Sequence, residues 1–169
     1  MAKGKWAQGI VPRHFAWIIK DRLAVCERPG GYGENHRRVR RQEEIIWIRE
    51  QGFGKVISLL ASPHNLHHYD ELDVSYVHLP FPELSDADEV LPELYRQLDA
   101  LAAAGEKVIL HHEELGDRVS GAVTGYLIHT GLVPEEHRAV AIVERLLERH
   151  LTHNARRLVA IAARQSKRS

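Results

Sequence analysis

The residues from His111 to Arg118 carry side chains that could act on an anion. Within eight positions they combine two imidazoles, three carboxylates and one guanidinium: His111, His112, Glu113, Glu114, Leu115, Gly116, Asp117 and Arg118. An apolar run precedes this segment and a helical pattern follows it, which predicts a tight loop between a strand and a helix. The backbone N–H groups of such a loop point at one spot and can cradle phosphate. Arg118, at the start of the helix, could add a bidentate hydrogen bond to the same anion.

The composition favours one globular domain around this loop. The chain has 169 residues, and 23 basic side chains balance 23 acidic ones, which argues against a nucleic-acid binder. A single cysteine excludes an intrachain disulfide framework and a cysteine-rich zinc site. No apolar run approaches the roughly 18 residues of a membrane span. We expect a cytoplasmic protein with one domain over residues 9–165 and flexible tails at 1–8 and 166–169.

Predicted strands and helices alternate along the chain, which is typical of an α/β fold. The patterns predict strands at residues 15–19, 22–25, 55–60, 74–79 and 107–111. Helices are expected at about 36–51 and from Ser62–Pro63, Ser85, Arg118, Pro134 and Asn154 onward. We therefore expect a central, mostly parallel sheet of four or five strands with helices on both faces. In such folds the chemistry lies at the carboxyl ends of the strands, where the His111–Arg118 segment falls.

The loop and its flanking elements resemble the cysteine-dependent protein tyrosine phosphatases, in particular the small dual-specificity branch. That family's signature is a histidine and a cysteine, five further residues, an arginine, and then Ser or Thr followed by Gly. Here His111 matches the histidine and Arg118 the arginine, at the same spacing. Residues 12–23, 55–60 and 76–83 also resemble the family's opening hairpin, the strand before the site and the segment leading to the general acid. The resemblance implies the tyrosine-phosphatase fold, with a phosphorylated protein or a small phosphate compound as the ligand.

The chain departs from the family at the positions that carry its chemistry. His112 stands at the nucleophile position, and Glu83 stands where the family has the general-acid aspartate. Leu115 replaces a loop glycine, and Val119 replaces the Ser/Thr after the arginine. The only cysteine, Cys26, is followed six residues later by Tyr32 rather than by arginine. Thiolate catalysis needs a sulfur of lowered pKa that the loop holds. We therefore expect no cysteine-dependent phosphatase activity.

The loop carboxylates weaken the anion cradle without abolishing it. Two unit charges 4 Å apart interact by roughly 4 kcal/mol at an effective dielectric constant near 20. Glu113, Glu114 and Asp117 could oppose Arg118 and the loop amides on that scale. Side chains of such loops splay outward while the amides point inward, so a binding site can persist. The main interpretation is therefore a pseudophosphatase that retains a pocket for an anion or a partner.

A metal site is the first alternative interpretation of His112. Together with Glu113 it offers nitrogen and oxygen donors that suit zinc, iron or manganese. His64, His67 and His68 follow the strand that neighbours the loop strand. If they form a helical turn, His64 and His68 lie on one face at the i, i+4 spacing. The two clusters could then share a divalent metal ion, although a solvated polar loop is the simpler interpretation of residues 62–70.

Three further roles stay open at this point. In a metal-dependent hydrolase, Arg118 would hold the substrate and Glu83 would transfer a proton. His112 could instead attack phosphorus directly, although an imidazole is larger than a thiol and would displace phosphorus from the cradle. The chain could also be an interaction module that docks a phosphorylated protein, a phosphoinositide or RNA through the basic run 36–41. Because Glu43 and Glu44 follow at once, a solvated helix start is the simpler interpretation of that run.

Overall fold

A five-stranded sheet forms the centre of the computed structural model, which describes residues 8–31 and 38–168. The strands are β1 (Ala16–Ile19), β2 (Leu23–Glu27), β3 (Lys55–Ser58), β4 (Tyr76–His78) and β5 (Val108–His112). Their spatial order is β1-β2-β5-β3-β4, and β1 is antiparallel to β2 while the other pairs are parallel. The predicted mostly parallel sheet is confirmed.

Helices cover both faces of the sheet, as predicted. Over the described residues they are α1 (Arg38–Glu50), α2 (His67–Glu71), α3 (Ala87–Ala103), α4 (Asp117–His129), α5 (Glu136–Leu147) and α6 (His153–Arg168). Successive side chains of a strand point to opposite faces. Leu23 and Val25 of β2 therefore pack with α3, α4, α5 and α6, whereas Ala24 and Cys26 pack with α1 and α2.

Helix α4 is enclosed along most of its length, and this fixes the position of the loop that precedes it. All of its residues from Val119 to Ile128 are buried. Helix α6 approaches so closely at Gly121 that an added Cβ atom would lie 2.8 Å from Cβ of Leu158 and 2.9 Å from the carbonyl oxygen of Ala155. Real Cβ atoms essentially never show contacts under 3.0 Å. Glycine is therefore required where the two helices cross.

The predicted helix start at Ser62–Pro63 is wrong. The hydroxyl of Ser62 accepts a hydrogen bond from the N–H of His64 at 3.2 Å, which forms a turn. Helix α2 begins only at His67. His64 therefore precedes the helix and does not share a helical face with His68.

The predicted cap of α3 at Ser85 is also displaced. A 3-10 turn over Leu84–Asp86 precedes α3. The backbone N–H of Glu83 donates to the carboxylate of Asp86 at 3.2 Å, and the N–H of Asp86 donates to the carbonyl of Glu83 at 3.0 Å. The capping interaction therefore begins two residues earlier than the sequence pattern indicates, at the position that the resemblance assigns to the general acid.

The ends of the chain differ in part from the expectation. Helix α6 continues to Arg168, so residues 166–168 are helical and not a flexible tail. Residues 1–7 and 169, Tyr32 and the first two positions of the basic run 36–41 lie outside the described residues. Within the described ranges, no helix has the length and the apolar character that a membrane span requires.

Candidate anion-binding loop

The loop joins the central strand β5 to the buried helix α4, as the sequence predicts. Strand β5 ends at His112 and α4 begins at Asp117, so residues 113–116 form the connection. Gly116 is extended, with φ −117° and ψ −152°, and its carbonyl accepts hydrogen bonds from both the N–H and the hydroxyl of Ser120 at 2.9 Å. The side chain of Leu115 is buried in the core. These contacts fix the loop at the carboxyl edge of the sheet, directly before the N-terminus of α4.

His111 is a buried neutral histidine whose ring contacts the backbone at the start of the loop. Its Nδ1 lies 3.4 Å from the carbonyl oxygen of His112, and its Nε2 lies 3.0 Å from the hydroxyl of Tyr69. A carbonyl can only accept, so Nδ1 carries the proton and Nε2 accepts from Tyr69. Burial is the main reason why the pKa of His111 is lowered to about 3. His111 therefore stays uncharged at neutral pH and orients the end of β5.

His112, at the nucleophile position, is a half-buried imidazole. Burial, followed by the positive charge of Arg118, lowers the pKa of His112, and the charges of Glu113 and Glu114 oppose that shift only in part. A lowered pKa leaves the imidazole neutral at pH 7. His112 can donate or accept a hydrogen bond in the loop, but it adds no positive charge to the anion cradle.

Arg118 links the loop to the segment that carries Glu83. Its Nε donates to the carbonyl of Phe81 at 2.6 Å, and its Nη2 donates to the carbonyl of Pro82. The guanidinium carbon also lies 5.7 Å from the centre of the Phe81 ring. Two of the guanidinium nitrogens are therefore engaged with neutral carbonyl groups. The residue still lies in the first turn of α4, beside the loop amides.

Glu83 lies directly after this contact and is exposed to solvent. The structure therefore brings together the two positions, Arg118 and Glu83, that the resemblance pairs as phosphate-binding arginine and general acid. The link is made through Pro82 and through the turn that Asp86 caps. The side chain of Glu83 takes part in a capping box with the backbone of Asp86.

The loop carboxylates splay outward, as expected. Glu113 and Glu114 are exposed, and the carboxylate of Asp117 accepts a hydrogen bond from the hydroxyl of Thr152 at 2.5 Å. The guanidinium of Arg149 donates to the carbonyl of Leu115. Sequence reasoning missed both Thr152 and Arg149, because no local pattern indicates that the turn before α6 packs against the loop.

The structure does not assemble the predicted shared metal site. Over the described residues, one group of three or more potential ligands lies close enough to hold a metal ion: His67, His68 and Glu71, with ligand atoms within 4.8 Å of one another. His64, His112 and Glu113 do not join this group. The two histidine clusters that the sequence suggested are therefore separate.

The His67–His68–Glu71 group is itself a poor fit to a metal ion. Nη1 of Arg41 donates to Nδ1 of His68 at 2.8 Å, so that nitrogen is an acceptor and the other ring nitrogen carries the proton. Burial and then the charge of Arg41 lower the pKa of His68. A cation at His68 would lie beside the guanidinium and would need the opposite tautomer. The donor set therefore offers two residues, not three, without a rearrangement.

Cys26 is inaccessible, in agreement with its exclusion as a nucleophile. It lies fully buried in β2, where it pairs in register with His111 of β5. Burial, reinforced by the negative charges of Glu44 and Glu27, raises the pKa of the thiol well above its usual value. The thiol is therefore protonated and shielded from solvent.

Comparisons with solved structures place this architecture among the tyrosine and dual-specificity phosphatases. Kinase-associated phosphatase, with serine in place of its catalytic cysteine, superposes with a TM-score of 0.75 at 16% identity, covering 94% of this chain and 98% of that chain. Tk-PTP in its active form gives a TM-score of 0.69 at 18% identity, covering 89% and 97%, respectively. The human tyrosine phosphatase-like serine/threonine/tyrosine-interacting protein gives 0.66 at 14% identity, covering 90% and 95%.

The resemblance inferred from the sequence is thus confirmed at the level of the fold. The chain has the fold of a small dual-specificity-type tyrosine phosphatase. No protein-family model matches the chain, and no curated protein matches it in a sequence search. Sequence identities of 14–18% to these three structures establish the architecture alone, so the function must be argued from the loop itself.

Proposed function

We propose that this chain is a pseudophosphatase, a protein that keeps the phosphatase fold and its loop but binds an anionic group without cysteine chemistry. The observation that carries the proposal is the pair formed by His112 and Cys26. The nucleophile position holds a neutral imidazole, and the only thiol in the sequence is buried in β2 with a raised pKa. Neither group supplies the solvent-accessible thiolate that the family's mechanism requires.

The position of Arg118 gives further support for binding rather than turnover. Phosphoryl transfer depends on cations placed to stabilise charge that develops on the transferred group. Here Nε and Nη2 of Arg118 donate to the carbonyls of Phe81 and Pro82. This arrangement holds the Glu83 segment against the loop, and it leaves the N–H groups of Nη1 and the second N–H of Nη2 to contact an anion.

The loop retains the groups that bind an anion in the ground state. The first N–H groups of α4 lack partners within the helix and face the loop, with a partial positive charge from the helix dipole. The exposed positions of Glu113 and Glu114 keep both side chains at the rim rather than in the core. A phosphorylated protein or a small phosphate compound therefore fits this site.

An interaction role is compatible with this fold. One protein with the same architecture, the human tyrosine phosphatase-like serine/threonine/tyrosine-interacting protein, is named for interaction. We do not extend the proposal to a metal-dependent hydrolase, because His64, His112 and Glu113 do not form a common donor group. Direct attack by His112 also has weaker support, since two nitrogens of Arg118 are engaged with carbonyls.

The proposal is tested by titrating phosphotyrosine into the full chain while the backbone amide signals of residues 113–118 are followed by NMR. We expect saturable shifts at these amides. Arg118→Gln should weaken the apparent affinity by about tenfold, because one charge-assisted contact is lost. The matched variant Arg96→Gln, on the exposed face of α3, should bind as the wild type does. Shifts that are absent, or equal in both variants, would contradict a binding role for the loop.

A further inference from the structure

A narrow crevice lies behind the loop, on the side of the sheet that α1 and α2 cover. Its volume is about 10 Å³, and the residues that line it include Arg28, Arg41, His64, Asn65, Tyr69 and His111. Arg28 follows β2 and His111 lies near the end of β5, so the crevice opens at the same edge of the sheet as the loop. None of its lining residues belongs to segment 112–118.

Arg41 is the residue that makes this crevice unusual. It lies in the first turn of α1 and is only 7% exposed, although the basic run to which it belongs reads as a solvated helix start. Its Nη1 is used by His68 at 2.8 Å. Its Nε is buried and has no hydrogen-bond partner among the described residues. A buried donor without an acceptor costs about 1–3 kcal/mol, and more when the group is charged.

Two further cations lie near Arg41. Burial and then the nearby cations Arg28 and Arg38 lower the pKa of Arg41. The closest buried carboxylate along the helix, Glu44, is already used. It accepts from Nε of Arg40 at 2.6 Å and from the N–H of Gly30 at 3.1 Å. Over the described residues, the crevice therefore combines a buried donor without a hydrogen-bond partner with two guanidinium groups among its lining side chains.

The size of the crevice indicates how an anion would fit. A volume of about 10 Å³ is close to the minimum that one water-sized atom needs. One oxygen atom of a tetrahedral anion could enter, while its remaining oxygens would stay at the mouth. His64 is exposed there, Asn65 and Arg28 are half-buried, and all three carry hydrogen-bond donors.

We propose that this crevice is a second oxyanion subsite, in which one oxygen of a phosphate group accepts from Nε of Arg41 and the other oxygens contact Arg28. A water molecule could satisfy Nε, but it would bring no negative charge to Arg28 and Arg41. A phosphate group does both, and guanidinium groups suit it because their donors are planar and paired. The proposal does not rest on the function proposed for the loop, because Arg28 and Arg41, which would bind the anion, lie outside residues 111–118, although His111 lines the crevice as well.

The test uses the side-chain Nε–H signal of Arg41 in NMR spectra of the full chain, with inorganic phosphate as the probe. We expect a saturable shift of this signal that chloride at equal ionic strength does not reproduce. Arg28→Gln should weaken the apparent affinity by at least about tenfold. Arg22→Gln, which removes one exposed positive charge from the β1–β2 turn, should leave the affinity within about twofold.

Arg118→Gln separates this subsite from the loop. If the subsite is real, the Arg41 signal responds in that variant with unchanged affinity, while the response of the amides of residues 113–118 weakens by about tenfold. A shift of Arg41 that disappears in Arg118→Gln, or that is the same in Arg28→Gln and Arg22→Gln, would overturn the proposal. Phosphoserine serves as a second probe, and an equal saturable shift supports recognition of a phosphomonoester as well as of the free ion. If Arg28→Gln fails to fold, Arg41→Lys gives the second test, read from the amides of residues 64–66.

Discussion

Nε of Arg118 donates to the carbonyl of Phe81 at 2.6 Å, which ties the N-terminus of α4 to the segment before α3. The two residues are 37 positions apart in the sequence. Phe81 is fully buried, so the acceptor is held rigidly by the core. The contact places Glu83 beside the loop, and it engages the arginine that the family resemblance assigns to phosphate.

Replacing Arg118 by lysine should destabilise the protein, although the charge is kept. A lysine ammonium cannot reproduce the fork that reaches both the Phe81 and the Pro82 carbonyls. We expect the free energy of unfolding in urea to fall by about 1–3 kcal/mol. Arg96→Lys, at an exposed pair with Glu93 on α3, should leave it nearly unchanged. Equal effects of the two substitutions would show that the carbonyl contacts contribute nothing.

Removing the hydroxyl of Tyr69 should release the orientation of His111. In Tyr69→Phe, the buried Nε2 of His111 loses the donor that lies 3.0 Å away, and we expect a loss of about 1–2 kcal/mol in the free energy of unfolding. Long-range ¹H–¹⁵N spectra of the histidine should show a single Nδ1–H tautomer in the wild type. The opposite tautomer in the wild type would contradict the assigned hydrogen bonds.

Stability should fall as the pH is lowered from about 6.5 towards 3. The pKa of His111 is about 3 in the folded protein, against 6.5 in the unfolded chain, so between these values the unfolded chain binds the extra proton. Proton uptake on unfolding lowers the free energy of unfolding as the pH falls, by up to about 1.4 kcal/mol per pH unit for each such group. His68 and His112, whose pKa values are also lowered, act in the same direction.

The variant His111→Gln isolates this contribution. Glutamine does not titrate, so the number of protons taken up on unfolding between pH 6 and 4 should decrease by close to one. The slope of the unfolding free energy against pH should fall accordingly, by about 1.4 kcal/mol per pH unit. If the slopes of the wild type and His111→Gln coincide, His111 is not the buried neutral group described above.

The crossing of α4 and α6 should not tolerate a methyl group at Gly121. Its Cβ would lie 2.8 Å from Cβ of Leu158, so Gly121→Ala should lower the free energy of unfolding by about 1–3 kcal/mol. Gly116→Ala is the matched control. There the nearest atom is the flexible carboxylate oxygen of Glu114 at 3.2 Å, and the backbone is extended, so we expect a cost of less than about 1 kcal/mol. A larger cost at Gly116 than at Gly121 would contradict this packing.

A cysteine at position 112 tests whether the loop can stabilise a thiolate. In His112→Cys the helix N-terminus and Arg118 should favour the thiolate, since both lower a cysteine pKa. We expect the folded variant to react with iodoacetamide at one site per chain. The wild type should react only on unfolding, because Cys26 is fully buried. Alkylation of the folded wild type at the same rate would refute the inaccessible position of Cys26.

The sheet, its helical layers and the position of the loop were predictable from the sequence. Each strand or helix corresponds to a local pattern: residues 107–111 form an apolar run, Gly105 precedes that run, and the helices show apolar residues at helical spacing. The loop could be located because the spacing from His111 to Arg118 is itself a local signal. The start of α2 was mispredicted because Ser62 and Pro63 have the side chains of a helix start but form a turn.

The contacts that define the site come from long-range packing and left no local signal. The partners of Arg118 and His111 lie 37 and 42 positions away. Arg41 looks like part of a solvated basic run, and only the packing of α1 against α2 buries it beside His68. The grouping of His67, His68 and Glu71 depends on the fold in the same way, and among the described residues His64 and His112 do not join it.

The most direct test of the pseudophosphatase proposal is hydrolysis of an aryl phosphate by the wild type and by His112→Ala, each with a chelator and with added zinc or manganese. A protein that binds phosphate without thiolate or metal chemistry should give the same background rate for both proteins in every condition. Wild-type turnover that exceeds the variant and needs a metal ion would establish an enzyme and contradict the pseudophosphatase. Turnover that exceeds the variant in the chelator would instead identify His112 as a nucleophile.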